Sequence, residues 1–249
     1  ALDDAYVLSP WGRGIIGYRG LAERDIFAAL EHAGGLVRFD PNRVYLAGFS
    51  MGGAGAWSLA LHTPDRWTAV SISSGGTWLT ALGVGLGGNA RGLPLRIRHG
   101  DADGSVAVEE ARFMGEELRR NGVDADLKII AGRGHVFDDA EWREAATWLL
   151  SQRRAPQRSF SFVCDNFVHR GRSGVRMRRD TRISPFPKVS CRIEGSTVTI
   201  DSRGTPGLDV DLGPEGLGLG GEATLIWNGK RAYRGPPRLV TLGIGAGSR

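Results

Sequence analysis

The clearest chemical signal in the chain is a serine in the pentapeptide Gly48-Phe49-Ser50-Met51-Gly52. It follows the apolar run 44–47 and precedes a run of small residues, which predicts a strand before it and a helix after it. A sharp strand-to-helix turn needs small residues and lifts the serine hydroxyl clear of the backbone. The pattern predicts Ser50 as a nucleophile, with the backbone N–H of Met51 as an oxyanion donor at the helix start. The alternative is a small residue that merely fits a tight turn.

A serine alcohol is a weak nucleophile unless a base takes its proton. His135 follows the predicted strand 127–130 in a glycine-rich segment and is the candidate base. The acid that orients this histidine is expected after an intervening strand, and both Asp101 and Asp103 follow the predicted strand 95–98. His99, at the end of that strand, is expected to be structural. The order serine, aspartate, histidine is that of α/β-hydrolases and differs from the orders in chymotrypsin and subtilisin.

Strand and helix patterns alternate along residues 1–153, which predicts a parallel α/β sheet. Strands are predicted at 5–9, 44–47, 69–73, 95–98 and 127–130, and helices at 21–32, 52–61, 108–120 and 141–150. The glycine-rich residues 75–92 are predicted to form a long loop or lid that carries Trp78. Trp78, and Trp11 near the end of the first strand, are candidates to line an acyl pocket, with core packing as the alternative.

After a linker at 153–158, the pattern changes to short alternating strands separated by turns. It predicts a small all-β, sandwich-like domain over 159–249. Its strands are predicted at 159–163, 189–193, 197–201, 208–212, 225–227, 231–233 and 239–242. Asn228-Gly229 predicts a type I′ hairpin turn. The two cysteines, Cys164 and Cys191, fit no metal-binding spacing and form either a disulfide or two buried thiols.

Charge is distributed unevenly over the 249 residues, whose net charge is +5. Residues up to 152 carry 15 Arg and Lys against 19 Asp and Glu, whereas the remainder carries 17 against 8. The Arg-rich segment 170–182 indicates either polyanion binding or a solvated surface, and no nucleic-acid partner is expected. No apolar run approaches the length of a membrane span. Without a metal-ligand cluster or a nucleotide-binding loop, neither a metal nor another cofactor is expected.

The chain resembles α/β-hydrolases of the prolyl-oligopeptidase-like and polyhydroxybutyrate-depolymerase-like esterase group. The resemblance is carried by YVLSPWGRG (6–14), the segment 40–67 around GFSMGG, LPLRIRHGDADGSV (93–106) and GRGH (132–135). In that group the acid is the aspartate of an H-G-x-x-D-x-x-V pattern, which here runs from His99 to Val106 and selects Asp103. The segment 196–235 is similar to the β-sandwich appended to some of these esterases.

The resemblance implies a serine carboxylester hydrolase that forms an acyl-enzyme on Ser50 and acts on small-molecule or polymeric esters. The alternatives are a prolyl-oligopeptidase-like peptidase and a weakly active or inactive fragment that acts as a binding module for a polysaccharide or another polyanion. In this group the strand that leads into the sharp turn of the nucleophilic serine, called the nucleophile elbow, is the fifth strand of the sheet. Here only one strand is predicted before the corresponding strand at 44–47. We therefore expect an upstream chain segment to complete the sheet and to supply a second oxyanion donor. The resemblance and the two cysteines favour a secreted or periplasmic location.

Overall fold

A four-stranded parallel sheet with helices packed on it forms the first part of the chain. The computed structural model describes residues 5–14, 17–77, 84–166, 168–178 and 186–243. The elements of the first part are α1 (Leu21–Leu36), β1 (Tyr45–Phe49), α2 (Met51–His62), β2 (Ala69–Ser73), β3 (Leu95–Gly100), α3 (Val108–Arg120), β4 (Asp126–Ile130) and α4 (Asp139–Ser151). The strand order is β1-β2-β3-β4, and all neighbours are parallel. The predicted α/β-hydrolase sheet is confirmed.

The two faces of this sheet differ in chemistry because alternate residues of a strand point to opposite faces. One face is apolar and shares a hydrophobic core with α2 and α3. Members of this core include Val70, Ile72, Leu95, Ile97, Trp57 and Met114. The opposite face carries four buried polar side chains, those of Ser71, Ser73, Arg96 and Arg98. Helix α4 supplies Glu141 and Glu144 to this polar face.

The predicted strand at 5–9 is wrong. Tyr6 and Val7 are 71% and 60% exposed, and residues 5–9 have no strand conformation. Within the described residues the parallel sheet begins at β1, so this apolar run has no strand to pair with. Pro10 also ends it early, since proline cannot donate a ladder hydrogen bond.

The glycine-rich segment differs in part from the predicted lid. Residues Leu86–Ala90 form a short 3₁₀ helix, and all five residues are buried. Contacts with α2 and α3 place this helix in the core. Residues 78–83, and with them Trp78, lie outside the described residues. Helix α1 also continues past Gly34-Gly35, where the sequence pattern predicted its end.

Two further sheets follow, built from nine strands. These are β5 (Ser159–Val163), β6 (Gly171–Arg172), β7 (Val175–Met177), β8 (Lys188–Glu194), β9 (Thr197–Arg203), β10 (Gly207–Asp211), β11 (Ala223–Trp227), β12 (Lys230–Gly235) and β13 (Leu239–Gly243). One sheet has the order β13-β10-β7-β6 and the other β12-β11-β9-β8-β5. Their inward side chains, among them Phe160, Phe162, Val198 and Leu208, form one hydrophobic cluster. The two sheets therefore share one core, and the predicted all-β character of this region is confirmed.

Several local predictions for this region can be compared with the structure. Asn228 and Gly229 have φ angles of 48° and 78°, as the type I′ turn requires. The hairpin of β6 and β7 lies within the Arg-rich segment and was not predicted. Cys164 and Cys191 are free buried thiols, so the disulfide alternative is wrong. Burial raises the pKa of Cys191 to about 12. The boundaries at 153 and 159 stay a prediction.

A fully buried amide joins the first part of the chain to the C-terminal sheets. The Nδ2 of Asn89 donates to the carbonyl oxygens of Leu61 and Val163, at 3.0 and 2.9 Å. Its Oδ1 accepts from the N–H of Val163 at 2.7 Å. Arg172, only 4% exposed, donates to the carbonyl of Asn89. This arginine of the predicted basic segment is therefore a junction residue and not part of a solvated surface.

Two histidines lie together at the same junction. The Nε2 of His62, the last residue of α2, lies 3.0 Å from a carboxylate oxygen of Asp165, and its Nδ1 lies 2.8 Å from the carbonyl of Ser58. The Nε2 of His169 lies 2.6 Å from a carboxylate oxygen of Glu23, and the two imidazole centroids are 5.2 Å apart. Burial alone would lower the pKa of His62, but Asp165 and the Ser58 carbonyl outweigh it, so the pKa is raised.

Candidate active site

Ser50 occupies a strained turn between β1 and α2. Its φ is 55° and its ψ is −119°, a combination that L-residues rarely adopt and that costs about 1–3 kcal/mol. A Cβ atom on Gly48 would lie 2.0 Å from the carbonyl oxygen of Gly52, so glycine is required there. The N–H of Ser50 donates to the carbonyl of Ser73 in β2 at 3.0 Å. These contacts hold the turn in one position and present the Ser50 side chain.

The structure brings Ser50, Asp103 and His135 together, as the sequence predicts. The Oγ of Ser50 lies 2.9 Å from Nε2 of His135, and Nδ1 of His135 lies 2.8 Å from Oδ2 of Asp103. The three residues follow the carboxyl ends of β1, β3 and β4, which meet at one edge of a parallel sheet. Loops at this edge are the usual location of sites in open α/β sheets.

Asp103 is held as a carboxylate. Its side chain is fully buried, and burial alone would raise its pKa. Hydrogen bonds from the N–H of Val106, from His135, from the N–H of Ser105 and from the Ser74 hydroxyl outweigh burial and hold the pKa of Asp103 at about 2. The carboxylate is therefore charged throughout the neutral pH range and can orient the imidazole.

The neighbouring candidates have other contacts. Oδ1 of Asp101 accepts from the N–H of Gly132 at 2.7 Å, which fastens the loop before His135 without touching the imidazole. His99 is 1% exposed, and its Nε2 lies 2.9 Å from the carbonyl oxygen of Val106. His99 thus binds the backbone of the acid loop, in keeping with the structural role expected for it, and its Nε2 also lies 3.4 Å from Oδ2 of Asp103.

Aromatic rings line the base. The ring of Phe49 lies 4.7 Å from the imidazole of His135 and 5.3 Å from the ring of Phe137, measured between centroids. Trp142 contacts Phe137 edge-on at 6.4 Å. No sequence pattern predicted these rings at the site, although Phe49 directly precedes the serine in the pentapeptide.

Two of the predicted binding residues can be placed. Met51 is the first residue of α2, so its N–H has no helical acceptor four residues earlier and is free for a ligand oxygen. Trp11 is 85% exposed, which excludes core packing; its role in a pocket stays a prediction. A small cavity beside the elbow is lined by Tyr18, Arg19, Met51, Ala54 and Gly55.

The described part of the chain lacks the features of two other kinds of site. No three His, Cys, Asp or Glu side chains in that part are grouped so as to hold a metal ion. No helix in that part has both the length and the apolar character that a membrane span requires. The groups that the elbow does assemble are an alcohol, an imidazole, a carboxylate and a backbone N–H, which suit acyl transfer.

Comparisons with known proteins match the part of the chain that holds this site. Residues 18–161, more than half of the chain, match the Dienelactone hydrolase family. The Arabidopsis thaliana protein named "Probable carboxylesterase SOBER1-like" is 27% identical over 132 residues, which are 52% of this chain and 48% of that protein. The chain therefore spans about half the length of the curated relative that it matches.

Solved structures similar to the chain include Arabidopsis thaliana SOBER1, at 22% identity and a TM-score of 0.44, over 52% of this chain and 61% of that chain. Esterase PE8 is similar at 27% identity and a TM-score of 0.43, over 52% of this chain and 59% of that chain. Porphyromonas gingivalis dipeptidyl peptidase 4 is similar at 17% identity and a TM-score of 0.44, over 52% of this chain and 22% of that chain.

Proposed function

The chain belongs to the dienelactone hydrolase family, and from this premise we propose that it hydrolyses carboxylic esters through an acyl-enzyme on Ser50. The observation that carries the proposal is the continuous hydrogen-bonded path from the Ser50 hydroxyl through His135 to the Asp103 carboxylate. A nucleophile, its base and a group that orients the base, each within hydrogen-bonding distance of the next, are the arrangement that acyl transfer needs.

Acylation uses each group once. Nε2 of His135 takes the hydroxyl proton as Oγ of Ser50 forms a bond to the ester carbonyl carbon. The carbonyl oxygen becomes an oxyanion that accepts from the N–H of Met51 at the start of α2. The Asp103 carboxylate stabilises the imidazolium and keeps the proton on Nδ1. His135 then gives its Nε2 proton to the alcohol oxygen as the C–O bond breaks, which leaves Ser50 acylated.

Deacylation repeats these steps with water. His135 takes a proton from a water molecule as the water oxygen attacks the acyl carbon. The bond to Oγ of Ser50 breaks, and His135 returns the proton to that oxygen. The balance is one ester and one water consumed, and one carboxylic acid and one alcohol released. Asp103 stays a carboxylate throughout, as its low pKa requires.

The substrate proposed is a small-molecule carboxylic ester, or an ester on a polymer whose ester group reaches the elbow. The support for esters is the family match together with the 27% identical carboxylesterase relative. An amide substrate would use the same three side chains, so the assay must include one.

The test is ester and amide hydrolysis by the full chain. The rate of product release is measured for the wild type and for Ser50→Ala. The substrates are p-nitrophenyl acetate, p-nitrophenyl butyrate, a feruloyl ester and a prolyl amide. We expect the wild type to hydrolyse the esters and Ser50→Ala to lower the rate of ester hydrolysis by at least about 10⁴-fold. Ser105→Ala is the matched control, because Ser105 binds Asp103 through its backbone N–H alone, and it should retain wild-type rates. Unchanged activity in Ser50→Ala would reject the proposal, and cleavage of the amide alone would identify a peptidase.

A further inference from the structure

A buried carboxylate on the polar face of the sheet lies outside the three groups just described. Glu141, in the first turn of α4, is 6% exposed. Its Oε1 accepts from the hydroxyl of Ser73 at 2.6 Å, and its Oε2 lies 2.7 Å from Nη2 of Arg133. A carboxylate buried to this extent is retained where both of its oxygens are paired, as they are here.

Each of these two partners adjoins one of the reacting groups. Ser73 is the last residue of β2, and its carbonyl oxygen accepts from the N–H of Ser50. Arg133 lies two residues before His135 in the same loop. The Glu141 carboxylate therefore connects β2, which binds the N–H of Ser50, to the loop that carries His135.

The topology of the sheet explains why such a connection is needed. Ser50 follows β1, whereas His135 follows β4, and two strands separate β1 from β4. Because neighbouring strands lie about 4.8 Å apart, β1 and β4 are separated by roughly 14 Å. The loop of His135 must therefore extend back across the sheet edge, and a loop of this reach needs a fixed point near β1. Ser73, in the strand beside β1, is that point.

The other side-chain contacts of Arg133 do not reach β2. Its Nη2 also lies 3.3 Å from the carbonyl oxygen of Val136 and 3.2 Å from a carboxylate oxygen of Asp138. Both of these groups belong to the loop itself or to the start of α4. They shape the loop, whereas Glu141 connects it to the strand beside the nucleophile.

We propose that Glu141 is a positioning residue that sets the separation of Ser50 and His135 by holding Ser73 and Arg133 at a fixed distance. The inference rests on the proposed function, because the separation matters for catalysis only if Ser50 is the nucleophile. Glu141 itself touches neither of the reacting side chains. Its removal should lower the rate of the chemical step while substrate binding is left nearly unchanged.

Helix α4 offers a matched control in Glu144, one turn later. Oε1 of Glu144 lies 2.9 Å from Nη2 of the buried Arg96 in β3. This ion pair joins the same helix to the same polar face, but it does not involve the loop of His135. Glu144→Ala therefore reports the cost of losing an ion pair between α4 and the sheet without the proposed positioning.

The experiment compares Glu141→Ala, Glu141→Gln, Ser73→Ala and Glu144→Ala. Three quantities are measured: the Tm, kcat and KM on p-nitrophenyl butyrate, and the downfield proton NMR signal of the Nδ1–H of His135. Glu141→Ala should lower kcat by about 10- to 100-fold, the cost of a misplacement of about 1 Å, with KM within about 2-fold. Its Nδ1–H signal should shift or broaden. Glu141→Gln should recover part of kcat, because an amide can still bond both partners.

The outcomes separate the two proposals. If Glu141→Ala retains wild-type kcat and an unchanged Nδ1–H signal, or if Glu144→Ala lowers kcat as much, the positioning role is rejected. If the wild type hydrolyses no ester, the proposed function is rejected, and the NMR signal alone decides whether Glu141 holds His135. If Glu141→Ala does not fold, Glu141→Gln and Ser73→Ala decide the question, since Glu141→Gln can still bond both partners without the charge and Ser73→Ala leaves only the contact with Arg133 in place.

Discussion

The side chain of Asn89 binds the backbone of Val163 as a neighbouring strand would. Its Oδ1 accepts from the N–H of Val163 and its Nδ2 donates to the carbonyl, at 2.7 and 2.9 Å. Val163 ends β5, the edge strand of the five-stranded sheet. A single buried amide thus pairs both backbone groups of Val163, at the end of this edge strand, inside the core of the first part of the chain.

Replacing Asn89 should destabilise the protein more than replacing an exposed asparagine. Asn89→Ala leaves the N–H and carbonyl of Val163 and the carbonyl of Leu61 without partners in a buried site. We expect the free energy of unfolding to fall by roughly 2–4 kcal/mol, measured by urea denaturation. The control Asn42→Ala, at an exposed position, should change it by less than about 0.5 kcal/mol. Equal effects of the two substitutions would contradict this view of the junction.

The elbow should not accept a methyl group at Gly48. Gly48→Ala would bring a Cβ within 2.0 Å of the Gly52 carbonyl oxygen, which cannot move without displacing the start of α2. We expect the free energy of unfolding to fall by roughly 3 kcal/mol. We also expect ester hydrolysis to be lost. Gly104→Ala is the control, because no atom lies within 4 Å of its added Cβ. Thermal melting and the ester assay compare the two variants, and a folded, active Gly48→Ala would contradict the described turn.

Two aspartates of one loop should respond differently to the same substitution. Asp103→Asn removes the charge that orients His135, and kcat should fall by roughly 10⁴-fold. Asp101→Asn keeps an oxygen that can accept from the N–H of Gly132, so kcat should fall by less than about 10-fold. Steady-state kinetics on p-nitrophenyl butyrate, with Tm values for both variants, provide the measurement. A larger loss of kcat for Asp101→Asn than for Asp103→Asn would mean that Asp101, and not Asp103, is the acid.

The pair of His62 and Asp165 should stabilise the protein within a limited pH window. The raised pKa of His62 gives stability that is complete below its ordinary pKa of 6.5 and is lost as the pH rises through the raised value. The lowered pKa of Asp165 gives stability that is complete above its ordinary 3.8 and is lost as the pH falls through the lowered value. The pair should therefore contribute most between about pH 4 and 6.5.

The measurement is the unfolding free energy of His62→Gln relative to the wild type at a series of pH values. The difference should be greatest within that window and should shrink at alkaline pH, where the wild-type imidazole is neutral. His32→Gln, at an exposed position, is the control and should show no such dependence. A pH-independent difference for His62→Gln would mean that the contact is not ionic.

Local patterns predicted the fold and the positions of the main site residues. The elbow pentapeptide, the loop with Asp101 and Asp103, and the His135 segment each follow an apolar run that forms a strand, so the alternation of strands and helices placed them at one sheet edge. The choice of Asp103 over Asp101 came from the family resemblance. The α/β-hydrolase resemblance is confirmed by the family match. The catalytic roles of these residues stay predictions until the assays are done.

Contacts between distant segments could not be predicted. Glu141 and Ser73 are 68 positions apart, and no local sequence pattern around either residue predicts the contact between them. Asn89 lies in a segment whose glycines favour a loop, yet its buried amide fixes that segment in the core. The apolar run at 5–9 has the pattern of a strand, but a strand also needs a neighbour with free backbone groups.

Helix α2 begins directly after Ser50 and ends at His62, so twelve residues, about 18 Å of helix, join the turn at Ser50 to the junction with the C-terminal sheets. Its first turn adjoins Ser50, the proposed nucleophile, and its last residue, His62, lies 3.0 Å from the Asp165 carboxylate of the C-terminal region. The C-terminal sheets are therefore not interchangeable parts. A chimera that carries the sheets of another protein must supply both a carboxylate for His62 and an edge strand for Asn89, or it will leave the end of α2 that is distant from Ser50 without these contacts.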